Sequence, residues 1–130
     1  MGYYTDYTLN VSGTRRDRSK ALVTDVEIQP DLLDRICTAI EKMDVGLDGD
    51  PDMGWYVNAK WYNHASDMLA LSKEFPTVLF TLSGSGEDDD DMWKHYFFNG
   101  MEQYAPAEIH YDAFSEQRLV AQSAVSDWRF

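Results

Sequence analysis

Proton transfer or nucleophilic attack near neutral pH needs a histidine, a thiol or an activated hydroxyl, and this chain offers few in a working context. His64, His95 and His110 stand far apart, and only His64 has a carboxylate at helical spacing, Asp67 three residues on. Such a pair can do acid–base work, but a histidine beside a helix start more often serves structure. The single cysteine, Cys37, excludes a disulfide within the chain and any cysteine-based zinc cluster. Its spacing places it on the apolar face of a helix. Ser83, Gly84, Ser85 and Gly86 read as an open turn. They lack the flanking pattern of a nucleophile elbow and the lysine of a phosphate-binding loop. The expectation is a protein that is not an enzyme and has no cofactor.

The carboxylates carry a different chemistry. Asp48, Asp50 and Asp52 alternate as ligands of a hard cation do, but a calcium loop counted from Asp48 needs glycine sixth and glutamate twelfth, where Met53 and Ala59 stand. No metal is expected. The run Glu87, Asp88, Asp89, Asp90, Asp91 cannot enter a packed core, because adjacent like charges repel and desolvate at high cost. Carboxylates in a row on one loop seldom surround an ion, but they can imitate the charge of a phosphate backbone. Both acidic loops, with Trp93 as an aromatic anchor, are therefore candidate docking elements for a basic surface of a partner protein or protein–nucleic-acid complex. The plain alternative is a solvated turn that blocks edge association.

A second candidate set is cationic and aromatic. Arg15, Arg16, Arg18 and Lys20 form a basic stretch, and Tyr56, Lys60 and Tyr62 alternate along one side of an expected strand. Cations for phosphate and rings for a base would suit a small nucleotide, so a protein that sequesters a nucleotide signal is the alternative reading.

Charge and length restrict these choices. The formal net charge is −12, with 6 Lys/Arg against 7 Asp/Glu in residues 1–43 and 5 against 16 in residues 44–130. That field opposes duplex DNA and anionic membrane and speeds encounter with basic proteins. A chain of 130 residues with 44% hydrophobic content suits one domain with a real core. No secretory pattern is visible, Asp6 stands where a myristoylation signal wants Ser or Thr, and no apolar run reaches the roughly 18–20 residues of a membrane span. The expected setting is cytoplasmic.

The elements that must position these residues follow from periodicity. Tyr7, Leu9 and Val11 alternate with polar neighbours as a strand ending at Gly13, before a basic loop at 14–20 and a short extended segment at 21–28. Pro30 opens a helix over 30–43, with Leu33, Ile36, Cys37 and Ile40 on one face. Residues 44–54 read as an acidic loop and 55–62 as a strand. Asn63 caps a second helix whose Met68, Leu71 and Phe75 form a buried stripe ended by Pro76. A strand at 78–82, one at 92–98, a type I′ turn at Asn99 and Gly100, and strands at 101–104 and 107–111 complete the sheet. The tail 115–130 offers Leu119, Val120, Val125, Trp128 and Phe130 to a docked helix. The order predicts an α+β, two-layer, ferredoxin-like antiparallel or mixed sheet, with two helices on one face and a C-terminal hairpin extension.

The stretch Trp61, Tyr62, Asn63, His64, followed by Leu71, Ser72, Lys73, Glu74, Phe75, Pro76 and the strand Val78, Leu79, Phe80, resembles small phage and plasmid proteins of the YubB-like ferredoxin-fold family. The resemblance covers roughly residues 55–112. The opening Met-Gly-Tyr-Tyr-Thr-Asp-Tyr-Thr-Leu resembles those of uncharacterised phage proteins. The acidic run stands where the plasmid proteins tend to carry a Gly-aromatic stretch. The resemblance implies a ferredoxin-like fold and a phage origin, and it implies no catalytic motif. Joined to the acidic loops, it leads to an expected phage accessory protein that binds and inhibits a host factor in the bacterial cytoplasm, a defence or nucleic-acid-processing complex. A phage structural or regulatory protein without an inhibitory role is the remaining alternative.

Overall fold

A computed structural model describes residues 3–88 and 90–121. The chain runs β1 (Thr5–Arg16), β2 (Leu22–Val26), α1 (Pro30–Met43), β3 (Asp48–Asp50), β4 (Gly54–Ala59), α2 (His64–Glu74), β5 (Val78–Ser85), β6 (Met92–Phe98) and β7 (Met101–Pro106). All seven strands join one antiparallel sheet in the order β3-β4-β1-β5-β6-β7, with β2 also paired to β1.

Strand alternation gives the sheet two unlike faces. Tyr7 and Leu9 of β1, Trp55 of β4, Val78, Phe80 and Leu82 of β5, and Phe97 of β6 are buried on one face. Ile36, Ala39 and Ile40 of α1 and Met68 and Leu71 of α2 join them in one cluster, so both helices cover that face. The opposite face carries Asp6, Thr8, Asn10, Ser12, Tyr56, Thr81, Ser83, Lys94 and Tyr96, none of them buried. The expected two-layer α+β arrangement with two helices and an antiparallel sheet is what the chain forms.

Helix α1 begins at Pro30 and stops at Asp44, which adopts φ 54° and closes the last turn through its N–H to the Glu41 carbonyl. Helix α2 starts one residue after Asn63, whose side chain makes no cap bond, so that expected cap is absent. Phe75 is 1% exposed and completes the predicted stripe. The β6–β7 turn has Asn99 at φ 49° and Gly100 at φ 77°, the two left-handed residues of a type I′ turn.

Several expectations on element limits are corrected. β1 does not stop at Gly13 but continues through Arg16, because β2 folds back to pair with it. Gly13 serves close approach rather than termination: a Cβ there would lie 2.4 Å from the Val26 carbonyl oxygen. Within the acidic loop, Asp48–Asp50 forms an edge strand on β4. Ser83 and Ser85 do not flank an open turn but end β5, paired to Lys94 and Met92. Residues 107–111 form no strand, since β6 begins at Met92 and offers no partner beyond the bond from Ala107 N–H to the Met92 carbonyl. In the tail, residues 115–121 hold only a 3-10 turn, Glu116–Arg118, with Leu119 and Val120 exposed. Val125, Trp128 and Phe130 lie outside the described residues.

Candidate docking site

The acidic run forms a closed turn between β5 and β6. Gly86 N–H donates to the Asp91 carbonyl at 2.8 Å, and Asp91 N–H to the Asp88 carbonyl at 3.1 Å. Residues just before β1 fasten this turn from the side. The Tyr3 hydroxyl donates to Asp91 Oδ2 at 2.8 Å and accepts from Asp88 N–H at 2.9 Å, while Tyr4 N–H donates to Glu87 Oε2 at 2.6 Å. The Asp88 amide acts to lower the Tyr3 pKa, but desolvation and the Asp91 and Asp88 carboxylates outweigh it and leave the phenol above its ordinary value. Gly86 makes room for this knot: a Cβ there would meet Asp91 Oδ2 at 2.0 Å and the Tyr3 hydroxyl at 2.4 Å.

The run therefore divides into two roles. Glu87 and Asp91 are spent internally, whereas Asp88 and Asp90 are exposed, and no hydrogen bond or ion pair among the described residues engages their carboxylates. Asp89 lies outside the described residues. Met92, 48% exposed, is the apolar side chain facing out beside the turn.

Trp93 is placed otherwise than a free anchor. It lies on the helix-covered face, partly buried against the core, with its ring stacked on His64 at 5.0 Å and 18°. Tyr7 and Tyr104 each approach the same ring at 6.0 Å. Gly84 permits this, since a Cβ there would fall 2.2 Å from the indole.

The two acidic loops do not converge. Leu9 pairs with Trp55, setting the β3–β4 turn and Asp52 toward the far half of β1, while Asp6 pairs with Ser85 beside the 87–91 turn. Asp50 accepts the Met53 N–H at 2.7 Å and so shapes its own turn. Asp48, Asp50 and Asp52 thus form a separate exposed edge.

The nucleotide set is likewise split. Ala59, next to Lys60, pairs with Thr5, whereas Arg15 lies ten residues further along β1, about 33 Å away at 3.3 Å per residue. One small ligand cannot touch both ends. Lys60 Nζ sits over the Tyr4 ring at 4.8 Å instead of between the tyrosines. The Tyr56 hydroxyl and the Asn58 amide both donate to Asp6 Oδ1, at 2.6 and 2.8 Å, which lowers the Asp6 pKa and raises that of Tyr56. Tyr62 is 72% exposed and Arg15, Arg16, Arg18 and Lys20 are exposed on the β1–β2 hairpin.

Sequence reasoning missed one constellation, because its members are far apart in the chain. β6 brings His95 beside His64, ring centroids 5.5 Å apart, and β7 places Glu102 Oε1 2.7 Å from His95 Nε2. His95 is buried, and its Nδ1 has no partner among the described residues. Burial lowers the His64 pKa, against the raising effect of the Trp61 carbonyl. Asp67 does not pair with His64; it accepts the Trp61 Nε1–H at 2.7 Å. Period-2 spacing of His95 and Phe97, with a tight turn before Glu102, was the available signal. Among the described residues, no group of three His, Cys, Asp or Glu is placed to hold a metal, and no helix is long and apolar enough to cross a membrane.

Comparison with protein-family models, with curated proteins and with solved structures returned no match.

Proposed function

We propose that this protein is a non-enzymatic binding protein whose acidic turn at 87–91 docks on a basic surface of a partner. The observation that carries this reading is the fastening of the turn by Tyr3 and Tyr4. Crowded carboxylates cost stability, and a turn held in one shape with Asp88 and Asp90 outward loses little entropy on docking. The resemblance to phage and plasmid proteins supplies the setting: an accessory protein acting on a host defence or nucleic-acid-processing factor, through charge that imitates a phosphate backbone. We propose a ferredoxin-like frame for it. The support is the succession β1-α1-β3-β4-α2-β5 with sheet order β3-β4-β1-β5, to which β2 and the β6–β7 hairpin are additions.

The test is affinity capture from bacterial lysate with the wild-type protein and with Asp88→Asn/Asp90→Asn, at low and high salt. A basic partner retained by the wild type, released by salt and lost with the variant supports the reading. Retention of the same partners by the variant sinks it.

A further inference from the structure

The sheet face that no described helix covers has a groove of about 510 Å³ at the end opposite the acidic turn, lined by Leu22, Leu79, Tyr96, Phe98, Met101 and Gln103. Tyr96 and Phe98 are half-buried, so each ring is held by its neighbours and still offers surface. Glu102 also borders the groove, but its carboxylate is engaged with His95 on the other face. The register explains the grouping. Ser12 pairs with Leu79, Phe98 with Met101, and Tyr96 with Gln103, so these side chains form two adjoining rows on one face.

Directly beyond these rows stands the β1–β2 hairpin. Arg16 pairs with Leu22, and directly opposed residues share a face, so Arg16 stands at the groove's rim. Arg15, Arg18 and Lys20 are exposed on the same arm. Asp17 is turned inward on the hairpin, accepting Ser19 N–H, Ser19 Oγ–H and Ala21 N–H on Oδ1 at 2.8, 2.7 and 3.0 Å. Among the described residues no carboxylate pairs with any of the four cations, in a chain with 23 acidic side chains. Pairing of β1 with β5 ends at Gly13, so the arm projects about 10 Å past the sheet body, near one screening length at physiological salt. Asp17 and Asp25 lie on the arm with the four cations and leave it a local excess of positive charge, and salt weakens the field of the acidic body over that distance.

We propose that this groove and arm bind single-stranded nucleic acid, with Tyr96 and Phe98 stacking on bases and Arg15, Arg16, Arg18 and Lys20 holding phosphates. Rings on a sheet face that no described helix covers, beside cations that no described carboxylate pairs, match unpaired bases on an anionic backbone. A duplex hides its base faces, and an acidic peptide has none. The inference stands apart from the acidic turn, which lies at the other end of β1.

The experiment is fluorescence anisotropy of labelled 20-mer oligo(dT) and oligo(rU), with a 20-base-pair duplex and polyglutamate as competitors. The wild type is expected to bind both single strands at about 50 mM salt, with a log–log salt slope approaching −2.8 for about four phosphate contacts. Tyr96→Ala/Phe98→Ala is expected to weaken binding at least tenfold, since each lost stack costs roughly 5- to 150-fold. Arg16→Gln/Arg18→Gln/Lys20→Gln changes exposed side chains whose one hydrogen bond among the described residues is that of Arg16 to the Lys20 carbonyl at 3.3 Å, so it decides the matter even if the aromatic variant does not fold; it should flatten the slope by about 2. No binding by the wild type, an unchanged affinity in the hairpin variant, or equal competition by duplex or polyglutamate overturns the proposal. Asp88→Asn/Asp90→Asn should bind the oligonucleotides no more weakly than the wild type, which separates this test from that of the acidic turn.

Discussion

At the scale of single residues, Gly84 and His64 decide how Trp93 is seated. The indole occupies the space a Cβ at Gly84 would need, within 2.2 Å of it. Gly84→Ala therefore forces Trp93 off His64, and overpacking of this kind is expected to cost about 1–3 kcal/mol, measured by urea denaturation. His64 supplies a pH dependence. The imidazole's ordinary pKa is 6.5, and burial holds it lower in the folded chain. Between those two values the unfolded chain binds a proton that the folded chain does not, so stability is fully present above 6.5 and falls with acidification through that window. Melting curves from pH 7.5 to 5 should show a steeper loss for the wild type than for His64→Gln, and parallel curves would refute the assignment.

At the scale of elements, the β6–β7 hairpin is pinned by a bond no sequence pattern announces. Gly100 N–H donates to Ser72 Oγ at 2.9 Å, from the turn of the hairpin to the buried face of α2. Ser72→Ala is expected to cost about 1 kcal/mol and to speed hydrogen exchange at the Gly100 amide. Exchange at Gly100 unaltered in that variant would show that the turn holds itself. The elements legible in the sequence were those whose signal is local: α1 from Pro30 and its i, i+3, i+4, i+7 apolar spacing, β6 from alternation, and the turn from Asn99-Gly100. What was not legible depended on partners distant in the chain. β1 runs past Gly13 only because β2 returns to it, and Asp48–Asp50 becomes a strand only because Gly49 lets β4 lie close. The site follows the same rule. The exposure of the acidic turn was readable from its charge, whereas the Tyr3 and Tyr4 bonds that fasten it cross more than eighty residues. The seating of Trp93 against the core was not legible, because alternation gives two faces without saying which one the helices cover.

At the scale of the whole molecule, charge is distributed along the sheet rather than spread over it. The cations of the β1–β2 hairpin stand at one end of β1, and the fastened acidic turn stands at the other. With a formal net charge of −12, self-repulsion opposes the folded state, and salt relieves it. The wild-type melting temperature should therefore rise between low and physiological salt. Asp88→Asn/Asp90→Asn reduces the net charge by two units at positions that make no side-chain bond among the described residues, so it should raise the melting temperature by roughly 1–3 °C at low salt. It should do so less at high salt. The same variant is expected to associate more slowly with a basic partner, because steering acts on the encounter rate. These two effects must appear together if the acidic turn trades stability for recognition. A gain in stability with no change in association would leave the turn as a solvated loop whose charge serves solubility alone. A loss of stability would mean that Asp88 and Asp90 hold the turn itself, and the division between inward and outward carboxylates would be wrong.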